Sequence, residues 1–179
     1  MTTFKSVRAL LALLSLALLL VACASGAKPD SMVADRVEIA HKSSQDVSIA
    51  VSGGKETSSM GASQISDAAF AQALTQSIEK VGLFAKVSSG PARYTLTAFI
   101  GNVDQPMVGF SLTVKMEVSY TLKDAQSGMT LWTQNIASQH TATTGDAFAA
   151  VERLRLANEG AAKENIRQAI EAMAALNLG

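Results

Sequence analysis

From Phe110 to Leu122 every second residue is apolar. Phe110, Leu112, Val114, Met116, Val118, Tyr120 and Leu122 alternate with Ser111, Thr113, Lys115, Glu117, Ser119 and Thr121. A period of two is the side-chain period of a β-strand; a helix would scatter these residues around its whole circumference. Alternation over this length requires one buried face and one wet face. Strands covered on both faces, as in parallel sheets between helices, read instead as continuous apolar runs. The pattern therefore predicts an antiparallel sheet covered on one side.

The rest of the chain supplies partners for that strand. Arg93 to Val103 places Tyr94, Leu96, Ala98 and Ile100 on one side. Asp124 to Gly128 has turn composition, and Met129 to Thr143 forms a further strand anchored by Trp132 and Ile136, with an alternation broken enough to suggest a bulge. Upstream, Val33 to His41 and Val47 to Val51 are β-prone and are separated by the polar Lys42–Asp46, which predicts a hairpin. Ser52 to Gln64 is rich in Gly and Ser and reads as a long loop.

Two stretches carry helical spacing. Phe70, Ala73, Leu74, Ile78 and Val81 recur at intervals of three and four, after Ser66 or Asp67 as the cap and before Gly82 as the left-handed terminator. Asp146 is the expected cap of a final helical stretch that reaches Leu176. Ile166, Ala169, Ile170 and Met173 form its stripe, and Phe148 and Val151 begin another. Arg153-Leu154-Arg155-Leu156-Ala157-Asn158-Glu159-Gly160 interrupts the apolar face. One helix through Gly160 is favoured over two, because an interior Gly costs only ~1 kcal/mol. The expected fold is α+β: a four- or five-stranded antiparallel sheet with two helices packed on one face.

The N-terminus is built for another purpose. Lys5 and Arg8 precede an apolar run from Ala9 to Ala22. That run is too short to cross a hydrocarbon core of ~30 Å as a helix, but it has the layout of a secretory signal. Leu20-Val21-Ala22-Cys23 resembles the lipobox of bacterial lipoproteins, and Cys23 is the single cysteine of the chain. A plain signal peptide with an incidental cysteine is the alternative. The resemblance implies cleavage before Cys23 and acylation of Cys23. It divides the chain into a signal at 1–22, a lipidated tether at 23–31 and one α+β domain at 32–179. It also implies several acyl chains, enough for stable membrane attachment where a single chain is marginal. Ala24 in place of an inner-membrane retention Asp implies the outer membrane, on its periplasmic face.

Composition and motifs exclude several function classes. Of 15 Lys and Arg residues, Lys5 and Arg8 leave with the signal, so 13 remain against 15 acidic residues, a balance of −2. That is no electrostatic footprint for nucleic acid. His41 and His140 are the only histidines. Neither has a second metal-type ligand at helical spacing, so no zinc site and no other metal or cofactor is expected. A Ser-His-Asp arrangement meets only in space, but the Gly-x-Ser-x-Gly elbow that would support one is missing. Gly53-Gly54-Lys55 lacks the spacing with which backbone amides wrap a phosphate, and reads as a flexible loop. No catalytic residue is assigned. Arg155 and Glu159 are four apart and can pair on one helical face. If they face the sheet, they join a buried network instead, or act as a contact point.

Gly53-Gly54-Lys55-Glu56-Thr57, Ser63-Gln64-Ile65-Ser66, Asp104-Gln105-Pro106, Gly109-Phe110 and the Arg153–Gly160 string together resemble a family of small, uncharacterised proteobacterial lipoproteins. Some members carry the label of a UDP-N-acetylglucosamine acyltransferase, an enzyme class built as a left-handed β-helix of hexapeptide repeats, of which this chain has none. The layout is also similar to envelope lipoproteins with helices on one face of a small antiparallel sheet, among them the plug lipoprotein of the lipopolysaccharide translocon and auxiliary lipoproteins of lipid-transport ABC systems. The expectation is a non-catalytic outer-membrane lipoprotein, an accessory or scaffold in envelope assembly or lipid transport, held to the membrane by its N-terminal lipid and meeting an envelope protein partner. Lys115, Glu117, Arg153, Arg155 and Glu159 are its candidate partner surface, together with the Ser52–Gln64 loop. An enzyme acting on envelope sugars or acyl chains, or a periplasmic lipid carrier, is the alternative.

Overall fold

The computed structural model describes residues 24–58, 62–106 and 108–178. The expected signal, the lipobox residues Leu20, Val21 and Ala22, and the acylation site Cys23 lie outside them. In chain order the described elements are α1 (Pro29–Met32), β1 (Asp46–Ser52), α2 (Asp67–Val81), β2 (Lys86–Ser88), β3 (Tyr94–Asp104), β4 (Leu112–Asp124), β5 (Thr130–Ala142) and α3 (Ala150–Ala174). The strands form one sheet in the order β2-β1-β3-β4-β5. The expected α+β class and strand number hold.

The sheet is mixed. β3, β4 and β5 form the expected antiparallel meander. β1, however, runs parallel to both β2 and β3. The predicted hairpin between Val33–His41 and Val47–Val51 is thus corrected. Parallel neighbours need a crossover of a dozen residues or more, and the loop after β1 with α2 supplies it. The 33–41 segment is extended but pairs with no strand. Its donors go elsewhere: Ala34 N–H donates to Ser77 Oγ at 2.9 Å and His41 N–H to the Ala174 carbonyl at 3.3 Å. Val33 and Ala34 are buried, and Val37 and Ile39 pack against the core. β-prone residues here serve an extended strap across the helices.

α2 has the caps that its sequence announces. Ser66 Oγ accepts from Ala69 N–H at 3.2 Å, and Gly82 takes the left-handed conformation at φ 66°. Phe70, Leu74 and Ile78 are fully buried, and Leu83 and Phe84 fold back into the core. Burying each such side chain stabilises by about 1.5–3 kcal/mol. α3 is continuous through Gly160. Its Ala157, Ala161, Ala162 and Ala169 are fully buried, so the helix axis lies close on β4 and β5. It starts later than expected: Asp146 instead closes the preceding turn, accepting from Thr143 N–H at 2.7 Å. Phe148 and Val151 are exposed rather than part of a buried stripe.

Two bulges adjust the meander. The β3–β4 register shifts between Ile100 and Asn102, leaving Gly101 unpaired. The β4–β5 register shifts at Leu131, where Leu122 pairs with Trp132 and Lys123 with Thr130. The second is the expected irregularity of the last strand; beside it Trp132, in register with Leu122, lies 6.2 Å from Tyr120 between ring centres. Phe110 precedes β4 and is 85% exposed, so the buried alternation begins at Leu112.

Candidate functional site

The interrupted apolar face of α3 has a physical explanation. Arg153, Arg155 and Glu159 are 5%, 6% and 3% exposed, so these three are not an open partner surface, and that expectation is corrected. Arg155 lies between two carboxylates: it donates to Glu152 Oε2 at 3.0 Å and pairs with Glu159. Those hydrogen bonds, Glu152 first, hold the guanidinium firmly protonated and pull Glu152 below the usual carboxylate range. Glu159 Oε1 also accepts from Lys28 N–H at 2.8 Å. One turn away, Asn158 Nδ2 donates to the Ser63 carbonyl at 2.9 Å, and Gln105 Nε2 reaches both that carbonyl and Asn158 Oδ1. Ala27 N–H donates to the Gln64 carbonyl at 2.9 Å.

These bonds tie three pieces of chain to α3: the segment entering from the N-terminus, the loop after β1 and the end of β3. The residues expected to be tether are therefore packed from Ala27 onward, and Met32 is fully buried. Gly53 and Gly54 belong to the same junction. A Cβ on Gly53 would fall 2.4 Å from the Ile100 carbonyl oxygen, and one on Gly54 2.7 Å from Asp67 N. Gly54 N–H is taken by Asp67 Oδ1 at 2.7 Å. This glycine pair allows two backbones to approach closely.

Arg153 performs a separate task. It donates to the Gly109 carbonyl at 3.1 Å, the Ala147 carbonyl at 3.0 Å and the Phe148 carbonyl at 2.6 Å. The β3–β4 turn and the β5–α3 turn are thereby fastened to each other.

Farther along α3, Asn165 locks the helix to the sheet. Its Oδ1 accepts from the Tyr120 hydroxyl at 2.9 Å, and its Nδ2 donates to the Ile136 carbonyl at 2.8 Å and Ser138 Oγ at 3.1 Å. Ser138 Oγ donates onward to the Ala161 carbonyl at 2.8 Å. Burial pushes the Tyr120 phenol well up, so it stays a donor. Beside this lock an open groove of about 800 Å³ runs along β5 and α3, lined in part by Ser138, His140, Gly160, Glu164 and Arg167. It gathers His140, Ser138 and the carboxylates Glu117 and Glu164, two of which are engaged in holding the structure. Ser138 holds the helix, and Glu164 accepts from Arg167 Nε at 2.8 Å and Gln168 Nε2 at 2.8 Å. The His140 ring is stacked over Gly160. Sequence reading overlooked Asn158 and Asn165. Their spacing of seven placed both on the buried face, which was the available signal.

Lys115 and Glu117 lie on the outer face of β4 and also line this groove. That face carries Thr95, Thr97, Ser119, Thr121 and Thr133, with Phe99 53% exposed among them. Thr113 and Thr141 bond across it at 2.8 Å, as do Thr121 and Thr133 at 3.1 Å. β5 is one edge of the sheet. Among the described residues, both long helices pack on the inner face and the outer face is open. Groups of His, Cys, Asp and Glu able to hold a metal do not occur among the described residues.

No family model and no curated protein matches the sequence. Solved structures do resemble the fold. A Xanthomonas campestris protein of the DUF330 family shares 11% identity over 79% of this chain and 90% of that one, with a TM-score of 0.61. PelC from Paraburkholderia phytofirmans, solved as a dodecamer, shares 12% identity over 78% and 92%, with a TM-score of 0.50. A Caulobacter crescentus protein described as a putative lipoprotein shares 19% over 72% and 87%, with a TM-score of 0.48. At such identities these likenesses are of fold alone.

Proposed function

We propose that this chain is a non-catalytic, lipid-anchored lipoprotein on the periplasmic face of the outer membrane, a binding or scaffold module in envelope assembly or lipid transport. The observation that carries this reading is the outer sheet face. It is rich in threonine and serine, carries Lys115, Glu117 and a half-exposed Phe99, and ends at the edge strand β5. An open polar sheet face that carries an aromatic is suited to docking a protein. The polar side chains of the inner face support the same reading, because Tyr120, Ser138 and Asn165 are consumed in holding α3. The core between sheet and helices is filled by side chains such as Ile166, Ile170 and Met173, all fully buried, and the open groove along β5 and α3 is lined by the charged Lys115, Glu117, Lys163, Glu164 and Arg167, which together weigh against the lipid-carrier alternative. The N-terminal strap supports the anchor: it leaves three residues between Cys23 and the packed Ala27.

Photocrosslinking in intact cells tests the docking face. A crosslinker at Thr113 or Thr121 is expected to yield a discrete heavier adduct that is not formed from Glu171, on the opposite side of α3. Adducts of equal yield from both faces, or from neither, would refute the docking face. The anchor is tested separately by the mass of the N-terminal peptide from membranes, where acyl chains on Cys23 are expected and an unmodified residue defeats it.

A further inference from the structure

The apolar residues most exposed to solvent gather at one end of the molecule. Val108 and Phe110, in the β3–β4 turn, are 88% and 85% exposed, and Phe148, in the β5–α3 turn, is 96% exposed. Single exposed apolar residues are ordinary. These are not independent, because the buried Arg153 holds Gly109 and Phe148 through their carbonyls and so fixes the two turns side by side. Val151 adds a half-exposed side chain from the first turn of α3.

The same end receives the chain from its N-terminus. Lys28 is bound to Glu159, and Ala27 to Gln64, whose side chain meets Gln105 at the base of the β3–β4 turn. Arg153 and Glu159 are six residues apart on α3, about 9 Å along the axis. From Ala27 the chain has only Ala24, Ser25 and Gly26 before Cys23. Fully extended, these four steps reach about 14 Å.

We propose that Val108, Phe110 and Phe148 insert into the bilayer interface beside the lipid anchor, so that the domain stands on the membrane in one fixed orientation. The proposal rests on acylation of Cys23, which is what brings a bilayer within reach of this end and not the other. Large apolar side chains at a rigid tip bury their area at the headgroup–acyl boundary, roughly 5–10 Å deep. In this orientation α3 stands away from the membrane, and the outer sheet face and the β5 edge point sideways, open to a partner.

The test uses the full acylated chain purified from membranes and reconstituted into vesicles of phosphatidylethanolamine and phosphatidylglycerol brominated on the acyl chains. Phe110→Trp and Phe148→Trp are placed on a Trp132→Phe background, with Thr121→Trp as the control on the sheet face. The tip tryptophans are expected to lose about half of their emission, as befits shallow insertion, and the control to lose none. Absence of quenching at 110 and 148 while the protein is acylated and floats with the vesicles overturns the proposal and leaves the anchor standing. Quenching at the tip in a protein without acyl mass supports the tip and defeats the anchor. A protein with neither acyl mass nor flotation defeats both. A Phe110→Ser, Phe148→Ser variant keeps the fold, since both side chains are exposed, and its crosslinks from residue 121 are expected to become less selective as the orientation loosens.

Discussion

The imidazole of His140 lies over the Cα of Gly160, where a methyl group would fall 2.2 Å from its Cγ and Cδ2. This contact explains a glycine in the middle of a helix of 25 residues, where Ala would otherwise be favoured by about 1 kcal/mol. The position is kept bare for the ring. Gly160→Ala alone is expected to lose stability by about 1 kcal/mol, as the ring is forced outward. In a His140→Ala background the same change is expected to stabilise by about 1 kcal/mol. Urea denaturation of the four proteins gives the coupling, and equal effects in both backgrounds would refute the contact.

Glu159 holds both Arg155 and the backbone of Lys28. Glu159→Ala leaves a buried guanidinium with Glu152 alone, and is expected to cost about 3 kcal/mol. Glu159→Gln keeps an acceptor for Lys28 N–H and is expected to cost less. The strap should loosen with the alanine, so limited proteolysis within residues 24–35 is the second readout. Unchanged stability and unchanged proteolysis in the alanine variant would defeat the buried-network assignment.

The Asn165 lock predicts an ordering among three substitutions. Tyr120→Phe removes one donor and is expected to cost about 1 kcal/mol. Asn165→Ala strands the Tyr120 hydroxyl and the Ile136 carbonyl, and is expected to cost about 2–3 kcal/mol. Asn165→Asp places a carboxylate against the Ile136 carbonyl and is expected to cost the most. Thermal denaturation above neutral pH checks the order, and an aspartate variant as stable as the wild type contradicts the lock.

Asp146 gives a pH dependence of known sign. The Thr143 N–H, then its hydroxyl, hold the Asp146 carboxyl below the usual carboxylate range. A carboxyl depressed in the folded state contributes stability above its unfolded value and loses it as pH falls through the folded one. The β5–α3 turn should therefore hold at neutral pH and release below the ordinary range of aspartate. The Thr143 amide resonance should titrate there, and the response should vanish in Asp146→Asn. A titration centred at or above the ordinary aspartate value would contradict the bond.

The alternating strand at 112–122, the caps of α2 and the apolar stripe of α3 were all legible in the chain, because each depends on neighbours a few residues apart. Strand direction was not. Val33–His41 has the composition of a strand, but pairing depends on which backbone lies alongside, and β2 and β3 occupy both sides of β1. Nor did the sequence reveal where its polar residues would go. Lys115 and Glu117 followed the strand's own period to the surface, whereas the fates of Arg153 and Glu159 depended on Gly109 and Lys28, 44 and 131 residues away. Periodicity and the Arg155–Glu159 pair are local and survive in one dimension; the partners that Arg153 and Glu159 find on the N-terminal segment and the β3–β4 turn are distant, and only the folded chain brings them near.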